Sequence, residues 1–242
     1  MKYIKLLFVL GILISCSEDK DDEVQASLAT YIQGRNIEMG AVIACAASDP
    51  VSGQVLTFYY PESGATDIRL YQTDQMDLDE NNLSHYTQVL IQNMPFFNGY
   101  LGKYEQNLNH EKWCIVTFEL DDEIKISNPI RFKQILKPTL WNDLVTIDQS
   151  QSGMPDFTWE DNPVGDNAIY FQVISDAQNN LLSGTYTYQN QFQYYKTDNV
   201  VLNITTQIPP DLILGTGYNF TLMDVSEDNW VNWVVQKQFI SE

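Results

Sequence analysis

The sequence predicts an all-β protein built as two tandem β-sandwiches. Three observations lead there. From about Glu38 onward, short runs alternate apolar and polar residues, with Gly, Pro, Asn and Asp clusters between them about every ten residues. No long stretch carries the roughly 3.6-residue periodicity of an amphipathic helix. A strand–turn–strand unit also recurs after about a hundred residues, the length of one sandwich. Val55–Tyr60 leads through Pro61–Ala65 to Thr66–Asp74, and Asp156–Trp159 leads through Glu160–Asp166 to Asn167–Asp176.

The elements follow in order. Lys2 and Lys5 precede an apolar run, Leu6–Ile14, broken only by Gly11. That is the layout of a secretory signal peptide over residues 1–15, too short to span a bilayer. Residues 16–37 read as an acidic tether with one short helical turn around Val24–Ile32. The first sandwich is expected over 38–137, closing with Lys125–Phe132 as a last strand that tolerates Pro129 at an edge. A linker near Lys137-Pro138 leads to the second sandwich, 138–242.

Aromatic residues make up 12% of the chain and charged residues only 19%, so it can bury real cores. The net charge of −19 argues against nucleic acid, whose binding needs clustered Lys and Arg. It argues equally against adhesion to anionic lipid headgroups.

Enzyme signatures are missing. The two histidines, His85 and His110, lie in no zinc-binding spacing, and no Gly-x-Ser-x-Gly elbow, P-loop or dinucleotide fingerprint is present. Paired carboxylates for glycoside hydrolysis are too easily chosen among 32 acids to mean much. Asp77-Leu78-Asp79-Glu80-Asn81 begins like a calcium loop. Asn82 stands where the required glycine would be and Gln88 where the bidentate Glu would be, so an EF-hand is rejected. A looser calcium site there is the one cofactor the residues leave open, against a solvated acidic loop. Two aromatic stretches, Pro95–Tyr100 and Tyr186–Tyr195, read mainly as core and cross-strand pairs.

Two resemblances add to this. Leu13-Ile14-Ser15-Cys16 resembles a bacterial lipobox, which implies that Cys16 is lipidated and becomes the N-terminus. The acidic run Ser17–Glu23 resembles the surface-export signal of Bacteroidota lipoproteins, which implies an outer-membrane protein facing the cell surface and held by acyl chains. With Cys16 lipidated, Cys45 and Cys114 remain as an even pair in an exported protein. They are a candidate disulfide between two sheets, or two buried free thiols. Leu212–Tyr218 followed by Asn219–Leu222 resembles the tyrosine corner of fibronectin type III domains, with Tyr218 as the structural tyrosine, Trp159 as the second-strand tryptophan and Tyr170 as the third-strand aromatic. Leu214 departs from the proline usual before the Gly-Thr. The first unit matches less well, with Trp113 roughly at the tyrosine position, and reads as fibronectin- or immunoglobulin-like.

That resemblance brings two loops of the second sandwich to one end. They carry Asp161, Asn162, Asp166 and Asn167, and then Glu227, Asp228, Asn229 and Trp230. Carboxylates and amides beside one tryptophan suit a sugar or a cation, while the same residues also make ordinary turns. Trp233 is expected in the core instead. The expected function is a non-catalytic binding module for a protein partner or an extracellular polymer. The alternatives are a glycan-binding accessory of a polysaccharide-uptake system and a hydrolase.

Overall fold

The computed structural model describes residues 27–160, 166–205 and 207–242. Cys16, Asp161 and Asn162 lie outside them. The first sandwich opens with helix α1 (Leu28–Ile32). Ten strands follow: β1 (Asn36–Val42), β2 (Ala44–Ser48), β3 (Val55–Tyr59), β4 (Thr66–Gln72), β5 (Thr87–Val89), β6 (Met94–Phe96), β7 (Leu101–Gln106), β8 (Trp113–Leu120), β9 (Glu123–Ser127) and β10 (Ile130–Arg131). The second contains β11 (Leu140–Asn142), β12 (Thr146–Asp148), β13 (Asp156–Thr158), β14 (Asn167–Asp176), β15 (Leu181–Thr187), β16 (Gln191–Gln193), β17 (Val200–Asn203), β18 (Gly217–Ser226) and β19 (Val231–Ile240).

These strands form four sheets. Sheet A runs β1-β9-β8-β4-β5 with β10 paired to β8, and sheet B runs β2-β3-β7-β6. Sheet C runs β11-β19-β18-β14-β15-β17, and sheet D runs β12-β13-β16. The internal repeat is visible in this order. The first strand of each repeated pair, β3 or β13, lies in the smaller sheet, and the second, β4 or β14, crosses to the larger one. Each larger sheet also ends in a parallel pair, β1 with β9 and β11 with β19. The chain is therefore all-β, two sandwiches of matching topology.

The sheets stack in the order A, B, C, D, with an apolar layer at every junction. Val55, Tyr59, Val116, Phe118 and Ile130 fill the space between A and B. Phe157, Tyr170, Phe220, Leu222 and Trp233 fill the space between C and D. Between B and C lies a third layer, in which Cys45, Leu56, Phe58 and Phe97 meet Phe171, Tyr186, Met223, Val225 and Val234. Both faces of sheets B and C are thus covered. β3 is buried at all five positions and reads as a continuous apolar run instead of an alternating one. Each fully buried Phe, Leu or Val contributes about 1.5–3 kcal/mol of transfer free energy.

Helix α1 covers the far side of sheet A. Leu28 is buried with Tyr71, Tyr86, Ile115, Ile124 and Ile126. Ser27 caps the helix, its Oγ accepting from Thr30 N at 3.2 Å. The Tyr31 hydroxyl donates to Asp67 and Glu119 at 2.9 and 2.8 Å, while Arg69 and Arg35 lie over its ring at 3.9 and 5.1 Å. Hydrogen bonds from Arg35 and Tyr31 pull the Glu119 carboxyl down to about 2. Among the described residues, the segment before residue 38 packs on the first sandwich, because this short helix buries an apolar face against sheet A.

Two further expectations change. The predicted last strand is broken at Asn128-Pro129 into β9 and β10, since proline lacks the N–H a ladder needs and restricts the residue before it. Cys45 and Cys114 are free, buried thiols. Cys45 faces the layer between B and C and Cys114 the layer between A and B, so sheet B separates them. Burial pushes the Cys45 thiol up to about 12 and the Cys114 thiol upward too, leaving both unreactive. Labelling without reductant is expected to modify neither cysteine in the native protein and both after unfolding in urea, read by intact mass. A bridge would block labelling in both states.

Candidate functional site

The loops singled out by sequence meet at the joint between the sandwiches. The β18–β19 turn is closed by Ser226 N donating to Trp230 O at 2.9 Å and Asn229 N donating to Ser226 O at 2.9 Å. Asn229 adopts φ 60°, a left-handed conformation that Asn tolerates. This turn reaches the first sandwich. Ala46 N donates to Asn229 O at 3.0 Å, Arg131 N donates to Asp228 O at 2.9 Å, and Asn229 Nδ2 donates to Pro129 O at 3.0 Å.

Trp230 is not a ligand platform. It is fully buried and belongs to the apolar layer of the first sandwich, beside Val42, Ala46 and Phe132. Its Nε1 donates to Lys137 O at 2.9 Å, the partner a buried indole N–H requires. Trp233, three residues on and inside β19, is buried in the second sandwich. One hairpin therefore places a tryptophan in each core.

The acidic residues of the loops are tied to two lysines of the linker. Lys133 Nζ lies 2.6 Å from Asp228 and 3.5 Å from Asp166, and Lys137 Nζ lies 2.7 Å from Asp166. Asn232 Nδ2 donates to Asp166 Oδ1 at 2.6 Å, and Ser226 Oγ donates to Asp228 Oδ1 at 2.6 Å. Burial alone would raise the Asp166 carboxyl. The Lys137 hydrogen bond and the charges of both lysines outweigh it and hold the group below its ordinary value. Asp224, deeper in the joint, accepts from Asn167 Nδ2 at 2.8 Å, and there burial wins and raises its carboxyl. Of the described loop acids, Glu160 and Glu227 are exposed without such a partner. The cluster is chemically a strut: its carboxylates already hold cations.

Elsewhere, Tyr218 sits at the edge of the second core and its hydroxyl accepts from Ile213 N at 2.9 Å, tying the turn before β18 to the strand. In the acidic loop near Asp77, Asp79 Oδ1 accepts from Asn81 N at 3.0 Å and shapes a turn. Among the described residues no group of three or more His, Cys, Asp or Glu is arranged to hold a metal ion. None of the five tryptophans is exposed. The aromatic stretches are largely core, leaving Tyr100 at 44% and Tyr188 at 68% exposure as their accessible members.

Sequence reasoning missed Lys133, Lys137 and Asn232. Two lysines in one short linker, in a chain with 13 basic residues against 32 acids, were the available signal. It also missed two surface features. One is the edge of sheet C, where Val201 and Leu202 of β17 are 48% and 42% exposed. The other is a groove of about 350 Å³ between the sandwiches, lined by Tyr100 from the first and by Leu182, Thr205 and Ile208 from the second.

No protein-family model matches the chain, and no curated protein does either. Solved structures that align with it include the chicken interferon gamma receptor alpha chain, at 11% identity over 82% of this chain and 96% of that one, with a TM-score of 0.26. The FN1-FN3 domains of chicken CNTN1 align at 9% identity over 86% of this chain and 68% of that one, with a TM-score of 0.32. The assignment to β-sandwiches rests on the strand pairing described above.

Two outcomes follow from the joint. Trp230→Ala is expected to lower unfolding free energy by about 3–5 kcal/mol in urea titration, as loss of a core side chain does. A ligand-platform residue would leave stability unchanged. Asp166→Asn is expected to lower Tm at pH 7 by about 2–4 °C, for about 1 kcal/mol at a side chain 40% exposed and screened by solvent. A depressed carboxyl stabilises the fold above its unfolded pKa, near 3.9, and loses that contribution as pH falls through the folded value. The gap between the two proteins should therefore close below about pH 4 in the same melting series.

Proposed function

We propose that the chain is a non-catalytic binding module, anchored to the outer membrane through lipid on Cys16 and displayed on the cell surface, and that it engages a protein partner. The observation that carries this reading is the free edge of sheet C. β17 is an edge strand with neither proline nor charge, and two neighbouring apolar side chains stand exposed on it. An unpaired strand edge offers a row of N–H and C=O groups to an incoming strand.

Among the described residues the other edges differ: β1 exposes Ile37 and Met39 but carries Glu38, ion-paired with Lys125, and β5 and β12 are three residues long. β6 carries Pro95, and β2 is covered where Ser48 N donates to Thr139 Oγ1 at 2.8 Å and Trp141 Nε1 donates to Ser48 O at 2.9 Å. β11 and β16 are three residues long. The layer order supports display away from the anchor. The chain enters at α1 outside sheet A, and sheet D lies about 30 Å beyond at roughly 10 Å per sheet spacing. Of the carboxylates predicted to bind a ligand, Asp166 and Asp228 are paired with Lys133 and Lys137, which weakens the hydrolase reading. That no tryptophan is exposed weakens the glycan-accessory reading.

The test is photo-crosslinking on intact cells, with the reactive group at Leu202 and, as control, at Val51, which is 94% exposed in the first sandwich. A protein adduct at Leu202 and none at Val51 is expected. Cys16→Ala should release the protein from the membrane fraction and abolish the adduct. An absent adduct at Leu202 in the wild-type background sinks the reading.

A further inference from the structure

The groove between the sandwiches lies where β17 ends. Past Ile204, the chain after that strand supplies Thr205, Gln207, Ile208 and Pro210 to the lining. Leu182 comes from the adjacent β15, and Tyr100 comes from the first sandwich. The strand leads into the groove because Ile204 folds back over β15. Ile204 N donates to Gly184 O at 3.0 Å, and the Ile204 side chain, only 3% exposed, occupies the space where a Cβ on residue 184 would stand, 2.8 Å away. Glycine at 184 is thus required for the strand end to sit as it does.

Tyr100 is held at the groove by an unusual backbone. Phe97, Asn98 and Gly99 have φ of 46°, 54° and 86°, three consecutive left-handed residues. A bulky aromatic adopts that conformation only when its surroundings impose it, and such strain gathers at functional sites. Here the turn drives Phe97 into the layer between B and C and leaves Tyr100 facing outward.

Charge selects the occupant. No residue of β17 and none lining the groove is charged, although 19% of the chain is. A charged side chain entering this strip would lose water without gaining a partner. Asp198 and Asp211 bracket the strip in sequence and neither is in an ion pair among the described residues, with the cation Lys196 just beyond Asp198. The net charge of −19 favours basic groups around it.

Resting on the protein-partner reading above, we infer that the β17 edge and the Tyr100 groove form one continuous receptor for an extended peptide segment. The segment is uncharged across the strand and groove and carries basic residues at its flanks. Main-chain hydrogen bonds to β17 supply affinity, and the groove selects the uncharged side chains that enter it.

The experiment is selection of a phage-displayed random dodecapeptide library on the full chain. Binding of the enriched peptides is then measured to wild type, Val201→Pro and Tyr100→Ala. Val201 has no Cα partner on β15, so Val201→Pro changes β17 at its register shift and leaves the paired positions Val200, Leu202 and Asn203 in place. Enriched peptides with an uncharged centre and basic flanks are expected, bound at least tenfold more weakly by each variant while both melt as wild type does. If either variant misfolds, competition of the wild-type complex by Leu202-directed crosslinking supplies the same readout. No enrichment, acidic peptides, or binding by either variant as tight as by wild type overturns the receptor assignment. A cellular adduct at Leu202 alongside such a failure leaves the protein-partner reading intact, whereas its absence removes that reading as well.

Discussion

The layer between sheets B and C is the constraint on which the rest of the molecule depends. A sandwich needs only one buried layer, and its outer faces are ordinarily wet. Here Leu56, Phe58 and Phe97 of one sandwich and Phe171, Met223 and Val234 of the other are buried against one another. Leaving those faces apart would expose an apolar patch on each unit, which soluble proteins avoid. The two sandwiches therefore belong to one body. Its position in turn brings the β18–β19 turn against the first sandwich, seats Trp230 there, and creates the groove beside Tyr100.

The electrostatics follow from scarcity. With 13 basic residues against 32 acids, each cation has a choice of partners, and several are used where packing must be held in register. Lys133 and Lys137 secure the joint, and Arg35 and Arg69 secure α1 through Tyr31, Asp67 and Glu119. Partly exposed pairs like these contribute little individually, roughly 0–1 kcal/mol, so their role is to orient surfaces that burial already holds together. The rest of the surface keeps its acidity, and against that background an uncharged strip along β17 stands out.

Parts of this were legible before the fold was known. The spacing of turn residues indicated short strands, and the repeat of Val55–Asp74 in Asp156–Asp176 indicated two units of one design. The local pattern around Tyr218 was enough to place its hydroxyl, because that contact spans five residues, to Ile213. Asp166 and Asp228, one from each candidate loop, do come together at Lys133. Their role was not legible: Asp166 and Asp228 find Lys133 and Lys137 across the joint, and nothing in a strand pattern says that a second sandwich will lie there.

Trp230 shows where the boundary lies. The sequence by itself determined that a tryptophan stands beside a tight turn and that Trp233 points to the opposite face, because strand alternation and turn chemistry are local. Whether Trp230 met water or a core depended on what lay beyond the turn. The same holds for Cys45, whose apolar run showed burial but not the sheet it would face. Local sequence sets periodicity and turns. The docking of sheet B on sheet C, and with it the strut and the groove beside the β17 edge, was decided by long-range burial, which no short window of sequence contains.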